Sequence, residues 1–230
     1  MKKSILLIAM FSILISIEAQ VKFNDVNAAK RDVKSFNAIS VSSALDIYIS
    51  QGGEESLAVS GSNIRSEVNN GTLKIWMEGN KWNKSKQNLN VYISFKELDK
   101  LGISGACNVY FVDQIKSDNL RIDMSGASNL KGSVSINKLV ILLSGASDVK
   151  LSGNSNTVQI NASGASSLKG FEFEAEHCKA IVSGACDIKL SVNKEITGTA
   201  SGASSVHLKG NADYSNFKTS GASRIKINMD

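Results

Sequence analysis

Proline is absent from all 230 residues, cysteine occurs three times, histidine twice, and aromatic residues make up only 6%. Without proline, every turn must be made by Gly, Asn, Asp or Ser, which reach left-handed dihedrals at low cost. The absence also suits a long hydrogen-bonded ladder, because each Pro removes a donor. Three cysteines leave at least one unpaired, and the CxxC and Cys/His spacings of zinc sites are missing. The formal charge of +5 is mild. It is too weak to argue for nucleic acid as a partner.

Long apolar runs are scarce too. The first one reads as a secretory signal over residues 1–19: Lys2 and Lys3 are its basic start, Ile5 to Ile17 its apolar stretch, and Ala19 a small residue before a cut ahead of Gln20. It is shorter than the roughly 20 apolar residues that span a bilayer. No second run of that length follows, so no transmembrane segment is expected. No Cys stands near the cut to carry a lipid. Residues 20–35 read as a lead segment before the main domain at 36–230.

What the chain has instead is repetition. Ser-Gly-Ala begins at Ser104, Ser125, Ser144, Ser163, Ser183, Ser201 and Ser220, with gaps of 21, 19, 19, 20, 18 and 19 residues. A period near 20 is that of a solenoid, in which one coil cannot bury its apolar face alone. Ahead of the motifs, alternate positions are mainly apolar: Ile103, Met124, Leu143, Ala162, Val182, Ala200 and Thr219, and two further back Leu101, Ile122, Ile141, Ile160, Ala180, Gly198 and Phe217. Period-two alternation predicts a half-buried strand. The motif then breaks the strand into a corner. The slot after it holds Ser five times and Cys twice, Cys107 and Cys186, so it predicts a small enclosed position whose hydroxyls bond up and down the stack. Stacked rungs lie ~4.8 Å apart. Four rungs therefore separate Cys107 from Cys186 by about 19 Å, beyond the ~7 Å limit for a disulfide; a Cys178–Cys186 bridge stays open. A serine that recurs in every coil, with only His177 and His207 in the chain, is a structural corner rather than a nucleophile.

After the corner comes a second short strand. Val109, Leu130, Val149, Leu168, Ile188, Val206 and Ile225 point inward. The next, outward slot holds Tyr110, Lys131, Lys150, Lys169, Lys189, His207 and Lys226. A variable segment of about 10 residues then closes each coil, which predicts loops on that side. Ser42-Ser43-Ala44 and, less well, Ser60-Gly61-Ser62 read as worn copies, giving eight or nine coils. Between Gly71 and about residue 96 the period fails. Alternation at Leu73 to Met77 and at Leu89 to Phe95 predicts a hairpin excursion with a basic tip, capping the open end.

Phe36 to Gly52, Val59 to Gly61, Gly71-Thr72-Leu73-Lys74-Ile75, Val91 to Leu101 and the Ser-Gly-Ala series together resemble the auto-transporter adhesin head domains, also called GIN domains, of Bacteroidetes-type bacteria. The resemblance implies an all-β fold, a right-handed single-stranded β-helix with ~19-residue coils, in the cell envelope. It supplies no catalytic residue. One departure is Phe95, where the family often has Pro.

Two features are candidate sites. Lys131, Lys150, Lys169, Lys189 and Lys226 should stack into a cationic column that suits an acidic glycan or lipopolysaccharide phosphates. The same column also reads as a solubilising face, since neighbouring charges at rung spacing repel by less than about 1 kcal/mol in water. Asp148 and Asp187, two residues before Lys150 and Lys189, partly neutralise it. Trp82, among Lys81, Lys84 and Lys86, suits either stacking on a sugar or partner surface, or capping. Trp76 faces solvent or pairs with Tyr92. Glu172, Glu174 and Glu176 alternate like a solvated strand face rather than the facing carboxylates of a hydrolase. No cofactor and no metal is expected. The expected function is non-enzymatic: an exported envelope or surface protein, periplasmic or extracellular, binding a glycan or another envelope partner. A polysaccharide-active enzyme and a purely structural component are the alternatives. The last coil, around Arg224 to Met229, leaves a strand edge for pairing or for a second copy.

Overall fold

The structure, a computed structural model, describes residue 25 and residues 27–79 and 89–228. The expected signal at 1–19, residues 20–24 and 26 of the lead segment, and Trp82 with its lysine neighbours lie outside the described residues. Among those described, no helix is long and apolar enough to cross a membrane. The chain is all-β, 67% strand, and winds into a β-solenoid of about seven turns with coils of roughly 19 residues. The strands are β1 (Ala29–Arg31), β2 (Ala38–Val41), β3 (Asp46–Gln51), β4 (Ser56–Val59), β5 (Ile64–Asn69), β6 (Thr72–Met77), β7 (Asn90–Phe95) and β8 (Lys100–Ile103). Five long ones follow: β9 (Asn108–Met124), β10 (Asn129–Leu143), β11 (Asp148–Ala162), β12 (Ser167–Val182) and β13 (Asp187–Ala200). The last are β14 (Ser205–Lys209), β15 (Phe217–Thr219) and β16 (Arg224–Asn228).

The Ser-Gly-Ala corners set the pitch. Each motif glycine has a φ between +69° and +81°, a region costly to residues with a Cβ. A Cβ on Gly145 would also stand 2.6 Å from the carbonyl oxygen of Gly126 in the coil before. The corner thus needs glycine twice over, for its dihedral and for close stacking. That stacking lets the Ala146 N–H donate to the Gly126 carbonyl at 2.8 Å, and the same bond recurs from corner to corner. Ser43, at φ 85°, occupies the glycine's place in the worn copy at Ser42-Ser43-Ala44.

The slot after the motif is buried from Cys107 to Ser204, as the Ser/Cys exchange predicts, and it bonds both within its own corner and across to the preceding coil. The Ser147 hydroxyl donates back to the Ser144 carbonyl of its own corner at 2.8 Å, and Ser128, Ser166 and Ser204 do the same. The thiols of Cys107 and Cys186 point to the equivalent carbonyls of Ser104 and Ser183. A donor three residues from the carbonyl closes a local ring without help from the next rung. Four slot residues also reach the preceding coil: the thiols of Cys107 and Cys186 face the Ser43 and Gly164 carbonyls, and the hydroxyls of Ser204 and Ser223 donate to Gly184 and Ala200. The motif serine reaches across as well, as Ser144 does to the Met124 carbonyl at 3.2 Å. All three cysteines are free and buried, which closes the question of Cys178–Cys186.

Inward side chains stack in unbroken columns. Val109, Leu130, Val149, Leu168, Ile188 and Val206 lie in register and are buried. Each such side chain contributes on the order of 1.5–3 kcal/mol when fully buried. The variable segments are not loops. They continue as strand in β9 to β13, and their unequal lengths appear as register shifts at Lys131/Ser133, Lys150/Ser152 and Gly170/Glu174. Inside a ladder, an extra residue is taken up as a bulge, which keeps backbone groups paired on either side.

The N-terminal end departs most from the expected hairpin over 71–96. β6 and β7 do not pair with each other. β6 runs parallel to β2, and β7 parallel to β3. β2 and β3 pair on their other edges with β8 and β9. The first coil in the chain is therefore the second in space, and β6 and β7 form a rung outside it. β4 and β5 then cover β7 and β6 antiparallel, joined through Ser60 to Asn63. The true hairpin is β5–β6, turned at Asn70 and Gly71, both with positive φ. The worn copy at Ser60-Gly61-Ser62 is thus a reversed cap strand pair and not a coil, which accounts for about seven turns in place of eight or nine. At the far end, β15 and β16 make the last rung, paired on one side only among the described residues.

Candidate ligand-binding face

The second strand of each coil carries one outward column through the whole solenoid. Its register runs Tyr92, Tyr48, Tyr110, Lys131, Lys150, Lys169, Lys189, His207, Lys226. Five lysines singled out from the sequence are thereby brought onto one line. The aromatic half is only partly legible in the sequence, because Tyr48 and Tyr92 lie in coils that do not carry Ser-Gly-Ala. The signal that finds them is the pattern x-Ile-Tyr-Ile or Val-Tyr-Ile, which repeats the inward-outward-inward order of Leu130-Lys131.

The three tyrosines form a stack. Ring centroids lie 5.3 Å apart for Tyr48 and Tyr92 and 5.2 Å apart for Tyr48 and Tyr110, with planes 19° apart in each case. Cross-strand aromatic pairs of this kind stabilise a sheet. The Tyr92 hydroxyl donates to the Asp25 carboxylate at 3.0 Å. Burial, and then that carboxylate, push the Tyr92 phenol above its ordinary pKa, and burial with Asp46 nearby does the same for Tyr48. Both stay neutral hydroxyls at neutral pH. Exposure rises along the stack, from 9% at Tyr92 to 36% at Tyr110.

A second column runs beside the first, two residues back: Asp46, Asn108, Asn129, Asp148, Ser167, Asp187 and Ser205. Its amides form a one-way ladder. The Asn129 side-chain N–H donates to Asn108 Oδ1 at 2.9 Å, and that of Asn108 to Asp46 Oδ1 at 2.8 Å. Further along, its carboxylates hold some of the lysines. Lys169 pairs with Asp148 of the preceding rung at 2.9 Å, Lys189 with Asp187 of its own rung at 2.9 Å, and His207 lies 3.8 Å from Asp187. Asp148 thus neutralises Lys169 and not Lys150, because the diagonal partner lies nearer. Among the described residues, Lys131, Lys150 and Lys226 make no ion pair. These contacts are solvent-exposed and contribute about 0–1 kcal/mol each to stability.

Other candidates are not gathered here. Trp82 lies outside the described residues. Trp76 is half-buried in β6 opposite Arg65 and not Tyr92, since β6 pairs with β5. Glu172, Glu174 and Glu176 lie on β12 and not on a loop, alternating with buried Phe173 and Ala175; Glu176 pairs with Lys194 at 3.0 Å. The neighbouring sheet presents a shallow open groove whose outward side chains are Asp123, Leu142, Asn161 and Ile181.

Comparison with solved structures returns the same architecture. A putative adhesin from Bacteroides fragilis matches with a TM-score of 0.82 at 24% identity, over 87% of this chain and 96% of that one. A putative adhesin from Parabacteroides merdae matches at 0.68 and 17% identity, over 87% and 95%. A putative lipid binding protein from Parabacteroides distasonis matches at 0.66 and 17% identity, over 89% and 98%. At these identities the likeness carries the fold. No curated protein matches the chain. The family model described as "putative auto-transporter adhesin, head GIN domain" matches residues 35–212, and the chain belongs to that family.

Proposed function

We propose that the protein is a non-enzymatic, exported envelope or surface protein of the adhesin type, which binds an acidic polymer along the Lys131–Lys226 column. The observation that carries this reading is the register itself: six consecutive rungs present a Lys or His at one outward position. A straight row of cations at rung spacing is complementary to a linear polyanion such as an acidic glycan or lipopolysaccharide phosphates. Lys131, Lys150, Lys169, Lys189, Lys226 and Arg224, which continues the second column past Ser205, against Asp46, Asp148 and Asp187 leave the two columns net positive. Family membership and the signal-like start of the sequence support export. The one-sided edge of the last rung is where a second copy would pair, and sedimentation of the same preparation reads it out.

The test is a glycan and lipopolysaccharide array probed with residues 20–230 at low and high salt. Its control carries Glu at Lys131, Lys150, Lys169 and Lys189. Salt-sensitive binding that the control loses supports the reading. Binding that the control retains, or none to any acidic polymer, returns the column to a solubilising role.

A further inference from the structure

The column is not uniform, and its irregularity points to a particular ligand. Three observations meet where the tyrosines give way to the lysines. First, Tyr110 is the last ring of the aromatic stack and the most exposed. Tyr48 covers one of its faces at 5.2 Å. The other face is turned along the coil axis toward the rung of Lys131. The one cation–π contact among the described residues is Lys209 over Phe171, so no ammonium covers that face.

Second, Lys131 and Lys150, on the next two rungs, make no ion pair among the described residues, whereas Lys169 and Lys189 are held by Asp148 and Asp187. The unengaged charge is therefore concentrated beside Tyr110. Third, the amide ladder runs in one direction and ends here. Asn129 donates toward Asn108, which leaves its own exposed Oδ1 without a donor among the described residues, two positions from Lys131. The pairing of Asn108, Val109 and Tyr110 with Asn129, Leu130 and Lys131, and of those with Asp148, Val149 and Lys150, is direct, and the first register shift comes only after Lys131.

An exposed aromatic ring at the end of its stack, a bare carbonyl acceptor and two free ammonium groups within two rungs match a ring with one apolar face, hydroxyl donors and a carboxylate. We propose that the Tyr110–Lys131–Lys150 junction is the anchoring subsite for a uronic-acid-type sugar. The rest of the acidic chain lies along the column, parallel to the coil axis, and advances about one ring per rung. The inference rests on the reading of the Lys column as a polyanion site and adds ligand class, direction and anchor. A phosphate or phosphorylated headgroup would use the ammonium pair and leave Tyr110 idle.

The experiment measures binding of residues 20–230 to oligogalacturonates of increasing length, to the carboxyl-reduced neutral oligomers, and to inorganic polyphosphate. The variants are Tyr110→Ala, Tyr110→Phe, the double Lys131→Ala/Lys150→Ala, and Lys226→Ala at the far end. Affinity for a short oligogalacturonate should fall roughly tenfold in Tyr110→Ala and in the double variant. It should hold in Tyr110→Phe, which keeps the ring, and in Lys226→Ala, which a short oligomer does not reach. Polyphosphate affinity should fall in the double variant alone. If Tyr110→Ala binds oligogalacturonate like the parent while the double variant does not, the uronate anchor is wrong and the cationic column stands. If no polyanion binds, or the neutral oligomers bind equally well, the column reading falls and takes the anchor with it. Circular dichroism of each variant, with Tyr110→Phe as the mild change, separates lost binding from lost folding.

Discussion

Replacing Gly145 by Ala tests the account of the corners at its narrowest point. Gly145 has a φ of +70°, where an L-residue costs about 1–2 kcal/mol. The new Cβ would stand 2.6 Å from the Gly126 carbonyl oxygen, closer than such atoms approach, so the two rungs must move apart. That carbonyl accepts the Ala146 N–H at 2.8 Å, and weakening a buried bond of this kind costs about 1–3 kcal/mol. The two effects together predict a loss of about 2–5 kcal/mol. Gly79→Ala supplies the control. Gly79 has a similar φ of +84°, but nothing described lies within 4 Å of its Cβ position. It isolates the dihedral cost and should lose about 1–2 kcal/mol. Urea unfolding followed by far-UV circular dichroism gives both values, compared at constant m. If Gly145→Ala costs no more than Gly79→Ala, rung stacking does not explain why the motif keeps glycine.

Three further outcomes follow from the same geometry. Cys107→Ser should change stability by less than about 1 kcal/mol, because a hydroxyl in that slot donates to the carbonyl the thiol already faces; Cys178→Ser, with no such carbonyl bond among the described residues, should cost about 1–3 kcal/mol in the same unfolding assay. Burial pushes the Cys178 thiol up to about 12, so at pH 8 it should resist alkylation in the native protein and react once urea unfolds it; fast native alkylation, read by mass spectrometry, would contradict that placement. Asp148→Asn with Asp187→Asn releases Lys169 and Lys189, and should strengthen binding of any acidic polymer several-fold while leaving the unfolding midpoint nearly unchanged.

The repeat makes most of the fold legible. Seven Ser-Gly-Ala corners state the period, and the alternation around them states which side chains point inward, so the column from Lys131 to Lys226 follows from the amino-acid sequence alone. Two parts are less legible, for physical reasons. Length variation reads as loops because sequence does not show that a ladder takes up an extra residue as a bulge, as it does after Lys131 and Lys150. The N-terminal order is hidden because strand direction and adjacency are long-range choices. Leu73 to Met77 alternates in the same way whether β6 pairs with β7 or with β2 and β5. The same permutation hides the tyrosine stack, since Tyr48 comes to lie between Tyr92 and Tyr110 only when β3 lies between β7 and β9. The ion pairs are half legible: Asp148 and Asp187 stand out, but Asp148 reaches a lysine one rung further on.

The most direct test of the central claim, that the outward lysine column is a polyanion site, is the salt dependence of affinity for one acidic polysaccharide. It is measured on residues 20–230 and on the variant with Glu at Lys131, Lys150, Lys169 and Lys189. The account predicts that log affinity falls steadily with log salt for the parent, and that the folded variant loses binding. A variant that stays folded and binds the same polymer with the same affinity and the same salt slope would contradict it.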